Sequence, residues 1–124
     1  MALRGCMHMA ALGPKGLEEV ACVSRQRMLE LADGLEQIDG IELAFRESAF
    51  FNEAAFRAAG GAPAVARFKS ALATAGIHGV LPVNRWYTQF DGVFTLACTE
   101  RISTDDIKRL CAIAADCFSM EMSR

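Results

Sequence analysis

The N-terminal third of the chain carries apolar side chains at helical spacing, with one interruption. Residues 1–12 read as the end of a helix, and residues 13–16 break it, because proline cannot continue a helix and glycine commonly ends one. Beyond the break, charged residues such as Arg25 and Arg27 fall on the polar face of a second helical run. That run predicts a long amphipathic helix ending between Gly34 and Asp39. Its inward positions are Leu17, Val20, Ala21, Ser24, Met28, Leu31 and Leu35.

The hydrophobic period then changes from helical spacing to alternation. Ile41, Leu43 and Phe45 alternate with more polar or smaller neighbours, which predicts a half-buried strand over residues 41–45. A polar turn at residues 46–49 separates it from a second predicted strand over residues 50–58. Residues 93–99 have the composition of a third strand.

Two further helices are expected. Small residues at 59–63, including a glycine pair, read as a flexible loop before a short helix, which Gly76 is suited to end in a left-handed conformation. Ser103 and Asp106 have the spacing of a capping box, with aspartate in place of glutamate. The inward positions of the two helices are Val65, Phe68 and Leu72, and Ile107, Leu110, Cys111, Ala114, Cys117 and Phe118.

This order of elements predicts an α+β fold, an antiparallel sheet of three to four strands with helices packed on one face. The 124 residues suffice for a single domain and are too few for two.

Composition argues against several classes of function. The formal net charge is −2 and basic residues are scattered, which argues against a nucleic-acid surface. No apolar run approaches the roughly 20 residues that span a bilayer. The five cysteines are odd in number and irregularly spaced within apolar stretches, so we expect buried free thiols in a reducing cytoplasm, with no disulfide and no metal site.

No complete active site is visible, and we assign no catalytic residue. The most informative stretch, residues 76–87, combines glycine, proline, two aromatic side chains and Arg85. An arginine beside aromatic rings suits carboxylate recognition or stacking at an interface, although a surface ion pair is the simpler alternative.

Several segments together resemble one family. Residues 12–21, 41–45 and 50–53 resemble the C-terminal part of the glycine decarboxylase P-protein, in particular the first subunit of its split, two-gene bacterial form. Residues 76–87 and 94–100 resemble two further segments of that family in the same order. Val80 and Asn84 depart from the pattern, since the family has glycine at both positions.

The resemblance implies the C-terminal small domain of a type I pyridoxal-phosphate (PLP) fold, with residues 1–12 leading in from a missing large domain. It implies that PLP is held in the parent complex, with no cofactor bound by this chain alone, because the reactive lysine would belong to a partner P-protein subunit. The lipoyl carrier protein would be an indirect partner. Candidate residues facing the active site or an interface are Arg85, Tyr87, Asn52, Glu53, Thr99 and Glu100.

On this hypothesis the domain supports glycine decarboxylation, with aminomethyl transfer to the lipoyl carrier, and is inactive in isolation. We also expect self-association through the apolar N-terminal segment. One alternative is a small domain of another type I PLP enzyme, such as an aminotransferase or a desulfurase-like protein. Another is a free-standing ferredoxin-like module that binds a ligand or a partner.

Overall fold

The computed structural model describes residues 1–119. Four strands form one antiparallel sheet in the order β1-β2-β4-β3. The α+β class and the strand number expected from the sequence are confirmed. The elements are α1 (Ala2–Glu36), β1 (Ile41–Leu43), β2 (Glu53–Ala58), α2 (Gly61–Thr74), β3 (Leu81–Pro82), a short 3-10 helix (Val83–Arg85), β4 (Val93–Ala97) and α3 (Thr104–Ser119).

The core lies between the helices and one face of this sheet. Because side chains alternate along a strand, Ala54, Phe56 and Ala58 of β2 point to the same side as Phe94 and Leu96 of β4, and all five are buried. They join apolar side chains of all three helices in one cluster. The rings of Phe56 and Phe94 stack at 5.8 Å, and Phe68 of α2 lies edge-on to Phe94 and to Phe118 of α3.

The opposite side of the sheet, the open face, carries the alternate residues of the same strands. They are Glu53, Ala55 and Arg57 of β2 and Val93, Thr95 and Ala97 of β4.

Helix α1 is kinked where the sequence predicts a break. Gly13 has φ 68° and ψ 177°, outside the helical region, and the helix resumes at Pro14. Proline is tolerated there because the first turn after a kink needs no donor from it. The buried face of α1 begins only at Ser24, so the predicted inward positions nearer the kink, among them Leu17, are more exposed than expected.

The predicted strands are too long at three ends. β1 stops at Leu43 and β2 starts at Glu53, because residues 44–52 form a turn and a loop. β4 stops at Ala97, two residues early. β3 is absent from the sequence prediction, since two residues ending in proline show no periodicity, but it pairs with β4 through Leu81 opposite Thr95.

The ends of α2 give one correction and one confirmation. The helix already starts at Gly61, and the segment predicted as a flexible loop is tied down: the amide of Ala62 donates to a carboxylate oxygen of Asp91 at 3.1 Å. At the other end Gly76 has φ 77°. The amide of Ile77 donates to the Leu72 carbonyl at 2.8 Å and that of Gly76 to the Ala73 carbonyl at 3.0 Å, the Schellman pattern that favours glycine.

The predicted capping box at the start of α3 is confirmed. The backbone amide of Ser103 donates to Asp106 Oδ2 at 3.0 Å, and the amide of Asp106 donates to Ser103 Oγ at 3.1 Å. The hydroxyl of Ser103 also donates to Asp106 Oδ2 at 2.6 Å. These hydrogen bonds lower the pKa of the Asp106 carboxyl below its ordinary value.

Candidate functional site

Four of the six candidate residues meet at one end of the central strand pair. Asn52 immediately precedes β2 and exchanges two hydrogen bonds with Cys98, since its carbonyl accepts from the Cys98 amide at 2.8 Å and its Nδ2 donates to the Cys98 carbonyl at 3.1 Å. Glu53 is paired with Ala97 on β4. Thr99 and Glu100 follow β4 in an exposed turn, where the Thr99 carbonyl accepts from the amide of Ile102.

Arg85 and Tyr87 lie at the other end of the sheet. β3 is antiparallel to β4, and Pro82 is opposite Phe94, so the 3-10 helix after it lies beyond the first residues of β4. Glu53 is opposite the last residue of that strand. Five strand residues correspond to roughly 15 Å, so the structure divides the candidate residues into two groups instead of one site.

Arg85 and Tyr87 themselves share one exposed turn. The amides of Trp86 and Tyr87 both donate to the Val83 carbonyl, at 3.0 and 3.1 Å. The Arg85 guanidinium lies 5.5 Å from the centre of the exposed Trp86 ring and takes part in no ion pair among residues 1–119. An unpaired guanidinium over an aromatic ring remains able to bind a carboxylate.

A ring cluster continues from this turn. Tyr87 contacts the ring of Phe90 edge-on at 6.2 Å, and Phe90 contacts Phe45 in the same way at 5.8 Å. Val93, which points to the open face, is only 1% exposed. The 3-10 helix contacts β4, which is consistent with this low exposure. Aromatic side chains therefore form a row from the turn that carries Arg85 to Phe45.

The rest of the open face forms a shallow groove of ≈ 300 Å³. Ala55 and Thr95 form its floor, while Glu53, Phe45 and residues 48–50 border it. Small side chains on the floor and an aromatic ring on the wall suit an apolar side chain better than a polar ligand.

Arg25 fixes the loop that borders this groove. Its Nη1 donates to the Phe50 carbonyl and, at 3.4 Å, to the Phe51 carbonyl, and its guanidinium lies 4.7 Å from the centre of the Phe50 ring. Periodicity places Arg25 on the solvent side of α1, so the hydrophobic pattern does not predict this contact.

Arg27 links α1 to the start of α3. Its Nη1 donates to Glu30 Oε2 at 3.0 Å and to Thr104 Oγ1 at 2.6 Å. Its buried Nε has no hydrogen-bond partner in the described part of the chain. Both arginines thus hold tertiary structure from positions that the pattern assigns to solvent.

A second cavity, ≈ 320 Å³ in volume, lies between the three helices and the end of β4. It is lined mainly by core side chains, with His78 and Asp106 at its polar positions. Burial raises the pKa of the Cys98 thiol in its wall, and the charge of Glu30 raises it further. A thiol whose pKa is raised is a poor nucleophile at neutral pH.

The cysteines correct one expectation. Cys6 and Cys22 are exposed, contrary to the prediction that all five thiols are buried, because the N-terminal part of α1 extends beyond the core. All five are free, and burial raises the pKa of Cys111 and Cys117. No group of three potential metal-ligating side chains occurs within residues 1–119.

The lysines do not fit a PLP site within this chain. Lys15, Lys69 and Lys108 are exposed, and Lys15 lies 3.9 Å from Glu19. A lysine that holds PLP needs a desolvated pocket that lowers its pKa, and neither cavity is lined by a lysine. We therefore derive no cofactor chemistry from this chain's own residues. None of the helices described here is long and apolar enough to cross a membrane.

Comparison with known proteins confirms the resemblance drawn from the sequence. The chain is 36% identical over 103 residues to "Probable glycine dehydrogenase (decarboxylating) subunit 1" of Legionella pneumophila (strain Paris), covering 83% of this chain and 22% of the relative. It is 35% identical over 106 residues to the protein of the same name from Nitratidesulfovibrio vulgaris (strain DP4), covering 86% and 23%. The chain thus spans less than a quarter of these relatives. No protein-family model matches the sequence.

Solved structures agree in fold. A glycine decarboxylase (P-protein) of the glycine cleavage system in inhibitor-bound form superimposes with a TM-score of 0.80 at 35% identity, over 94% of this chain and 25% of that one. A mutant of C-DES with glycine covalently linked to its PLP cofactor gives a TM-score of 0.64 at 20% identity, over 80% of this chain and 24% of that one. The second likeness concerns the fold alone.

Proposed function

We propose that this chain serves as the small domain of a glycine decarboxylase of the split, two-subunit type. In that role it would support PLP-dependent decarboxylation of glycine, with aminomethyl transfer to the lipoyl carrier protein, and would be inactive alone. The observation that carries the proposal is the 35% identity and 0.80 TM-score to a glycine decarboxylase over nearly the whole chain. PLP, when bound in the parent complex, supplies the electron sink for decarboxylation.

In the proposed arrangement residues 1–12 lead in from a large domain, and a lysine-bearing partner subunit provides the cofactor lysine. Two features support it. The lysines described here are all exposed, and the apolar side chains of residues 1–11 are exposed as well, with Leu3 at 73% and Met7 at 64%. Large exposed apolar surfaces mark sites of interaction. Without its parent, the chain would self-associate through the same segment.

The two groups of candidate residues take separate roles in this proposal. Arg85 and Tyr87, exposed beside Trp86, would face the large domain. Asn52, by contrast, has its carbonyl and its side-chain amide engaged by Cys98, so it would shape the strand end that presents Glu53, Thr99 and Glu100.

A second candidate is a small domain of another type I PLP enzyme. The likeness to C-DES supports this second candidate only in that the fold is shared. The two candidates differ in the ligand that Arg85 would bind. At 20% identity this likeness does not distinguish one substrate from another.

A domain exchange tests the first candidate. The matching segment of the Legionella relative is replaced by this chain, the chimaera is combined with its lysine-bearing partner subunit, and glycine-dependent exchange of labelled bicarbonate is measured. We expect the chimaera to keep a measurable fraction of the parental rate, within about tenfold, because the fold and one third of the residues are shared.

The matched control carries the C-DES segment of the same fold in the same place, and we expect it to be inactive. A folded chimaera that assembles with the partner subunit yet shows no exchange would contradict the proposal.

A further inference from the structure

The second cavity, which lies between the three helices and the end of β4, is recessed into the helix side of the domain. Its volume is ≈ 320 Å³. Its floor consists of core side chains, among them Leu31, Leu72 and Cys98, which are each at most 2% exposed. Its mouth lies between the loop after α2 and the first turn of α3, where Gly79 and Asp106 are exposed. The cavity therefore opens to solvent on one side and ends at the core on the other.

The walls of this cavity are mainly apolar. Half-buried Ile77 and Ile102 line it together with the buried side chains of Leu96, Ile107 and Leu110. Protein interiors are close-packed, and side chains that border an empty space lose dispersion contacts on that side. An apolar space of about 150 Å³ already holds a molecule of benzene. A recess of about twice that volume, lined in the same way, suits a somewhat larger apolar molecule.

Gly79 leaves space at the mouth of the cavity. A Cβ added at this position would lie 3.9 Å from Leu96 Cδ2, at ordinary van der Waals distance, so a larger side chain would start beside the cavity wall. The backbone does not require glycine here, because Gly79 has no positive φ, in contrast to Gly76. The position therefore allows the cavity to be filled without backbone strain.

Two side chains at the mouth are able to form hydrogen bonds with a ligand. Asp106 Oδ2 accepts both hydrogen bonds from Ser103, and within residues 1–119 no donor reaches its Oδ1. His78 is exposed and has no hydrogen bond or ion pair in the described part of the chain. Because the Ser103 bonds lower the pKa of the Asp106 carboxyl, this group is charged at neutral pH. A free carboxylate oxygen favours a ligand with an N–H or O–H donor and disfavours an anion.

We propose that this cavity binds a neutral, mainly apolar small molecule of about the size of indole, with a single hydrogen-bond donor directed at Asp106. A neutral ligand fits because a charge transferred into the apolar recess would lose its hydration without gaining a partner. Burial of the apolar body supplies affinity, and the donor fixes the orientation, as is usual in small-molecule sites. None of the six candidate residues of the proposed function lines this cavity, so the two proposals can fail separately.

Indole and benzofuran, which has nearly the same shape but no N–H donor, are the probes that test the site. The isotope-labelled chain is titrated with each probe, and the backbone amide shifts are followed by NMR. With indole we expect saturable shifts, at a Kd on the order of 1 mM, confined to residues 76–79, 96–98 and 102–110. Benzofuran should bind at the same residues about threefold or more weakly, because it donates no hydrogen bond. Equal affinities for the two probes would overturn the hydrogen bond to Asp106.

Two leucine variants distinguish this cavity from the open-face groove. Gly79→Leu fills the cavity, and Ala55→Leu adds the same side chain to the floor of the groove as the matched control. We expect Gly79→Leu to keep the circular dichroism of the wild type and to weaken indole binding roughly tenfold or more, whereas Ala55→Leu leaves the affinity unchanged. Indole shifts centred on residues 43–55, or equal binding by wild type and a folded Gly79→Leu, would overturn the proposal.

Modification of Cys98 is a readout that needs no variant. Its buried thiol lies in the cavity wall, whereas Cys22 on α1 is exposed and does not line the cavity. At saturating indole, N-ethylmaleimide should modify Cys98 about threefold or more slowly and Cys22 at an unchanged rate, as measured by peptide mass spectrometry. An unchanged rate at Cys98, or the absence of saturable amide shifts, would show that the cavity does not bind this class of molecule.

Discussion

Arg25 and Arg27 differ from their neighbours on α1 in what their side chains reach. Arg25 donates to the carbonyls of Phe50 and Phe51, and Arg27 joins Glu30 to Thr104. A helical pattern reports only which side of a helix a residue occupies, whereas these contacts depend on where a loop and a second helix pass. Arginine reaches them because its long stem packs along the surface while its fork donates at the tip.

We predict that Arg25→Ala loosens the loop that borders the open-face groove. The variant loses charge-assisted hydrogen bonds and a contact with the Phe50 ring, so the free energy of unfolding should fall by about 1 to 2 kcal/mol. Amide hydrogen exchange should accelerate in residues 46–52 well beyond the change elsewhere.

Arg25→Lys should give an intermediate effect, since it keeps the charge and loses the fork. Arg101→Ala removes an exposed arginine in a turn after β4 and is the matched control. If exchange in residues 46–52 is the same in wild type, Arg25→Ala and the control, Arg25 does not hold this loop.

At the scale of elements, local chemistry in the sequence identifies the helix ends better than the strand ends. Gly76 and the pair of Ser103 with Asp106 were predictable because a left-handed residue and a capping box each have one local physical cause. β3 and the ends of β1 and β2 depend on which strand lies alongside. The pairing of Leu81 with Thr95 has no signal in either segment alone.

The order of the strands also explains why the six candidate residues lie in two separate groups. Thr99 and Glu100 are near Asn52 because β2 and β4 are paired, and Arg85 is far from them because β3 runs antiparallel to β4. The family resemblance identified the six candidate residues. The distances between them follow from the order of the strands, which the hydrophobic pattern does not predict.

We predict a pH dependence that comes from the cap of α3. In the folded chain the pKa of the Asp106 carboxyl is lower than the ordinary value of 3.8. The stabilisation from Asp106 is therefore full above pH 3.8, and it is lost as the pH falls through the folded-state pKa. The difference in urea midpoint between wild type and Asp106→Asn should be largest near neutral pH and shrink as the pH is lowered below 4.

Asp105→Asn, which removes a carboxylate from the same exposed turn outside the capping pair, is the control. A difference for Asp106→Asn that is constant between pH 7 and pH 3 would mean that the charge of this carboxylate does not contribute to the cap.

At the scale of the whole molecule, the structure combines a buried core with two exposed surfaces, the apolar N-terminal part of α1 and the open face of the sheet, which mixes small and charged side chains. The core explains why the sequence specifies this fold, because the helices and one side of the sheet bury each other's apolar stripes. The exposed surfaces are what a domain needs in order to pack against others. The chain spans about a quarter of the glycine decarboxylase it resembles, in keeping with such a role.

We propose that this chain supports PLP chemistry in a parent enzyme without holding the cofactor itself. The most direct measurement is titration of the isolated chain with PLP, followed by borohydride reduction and mapping of modified lysines by mass spectrometry. Because Lys15, Lys69 and Lys108 are all exposed, we predict only weak modification spread over all three, at the level of a lysine-bearing control protein without a PLP site. A stoichiometric adduct at one lysine, with a bound-cofactor absorbance before reduction, would contradict the claim.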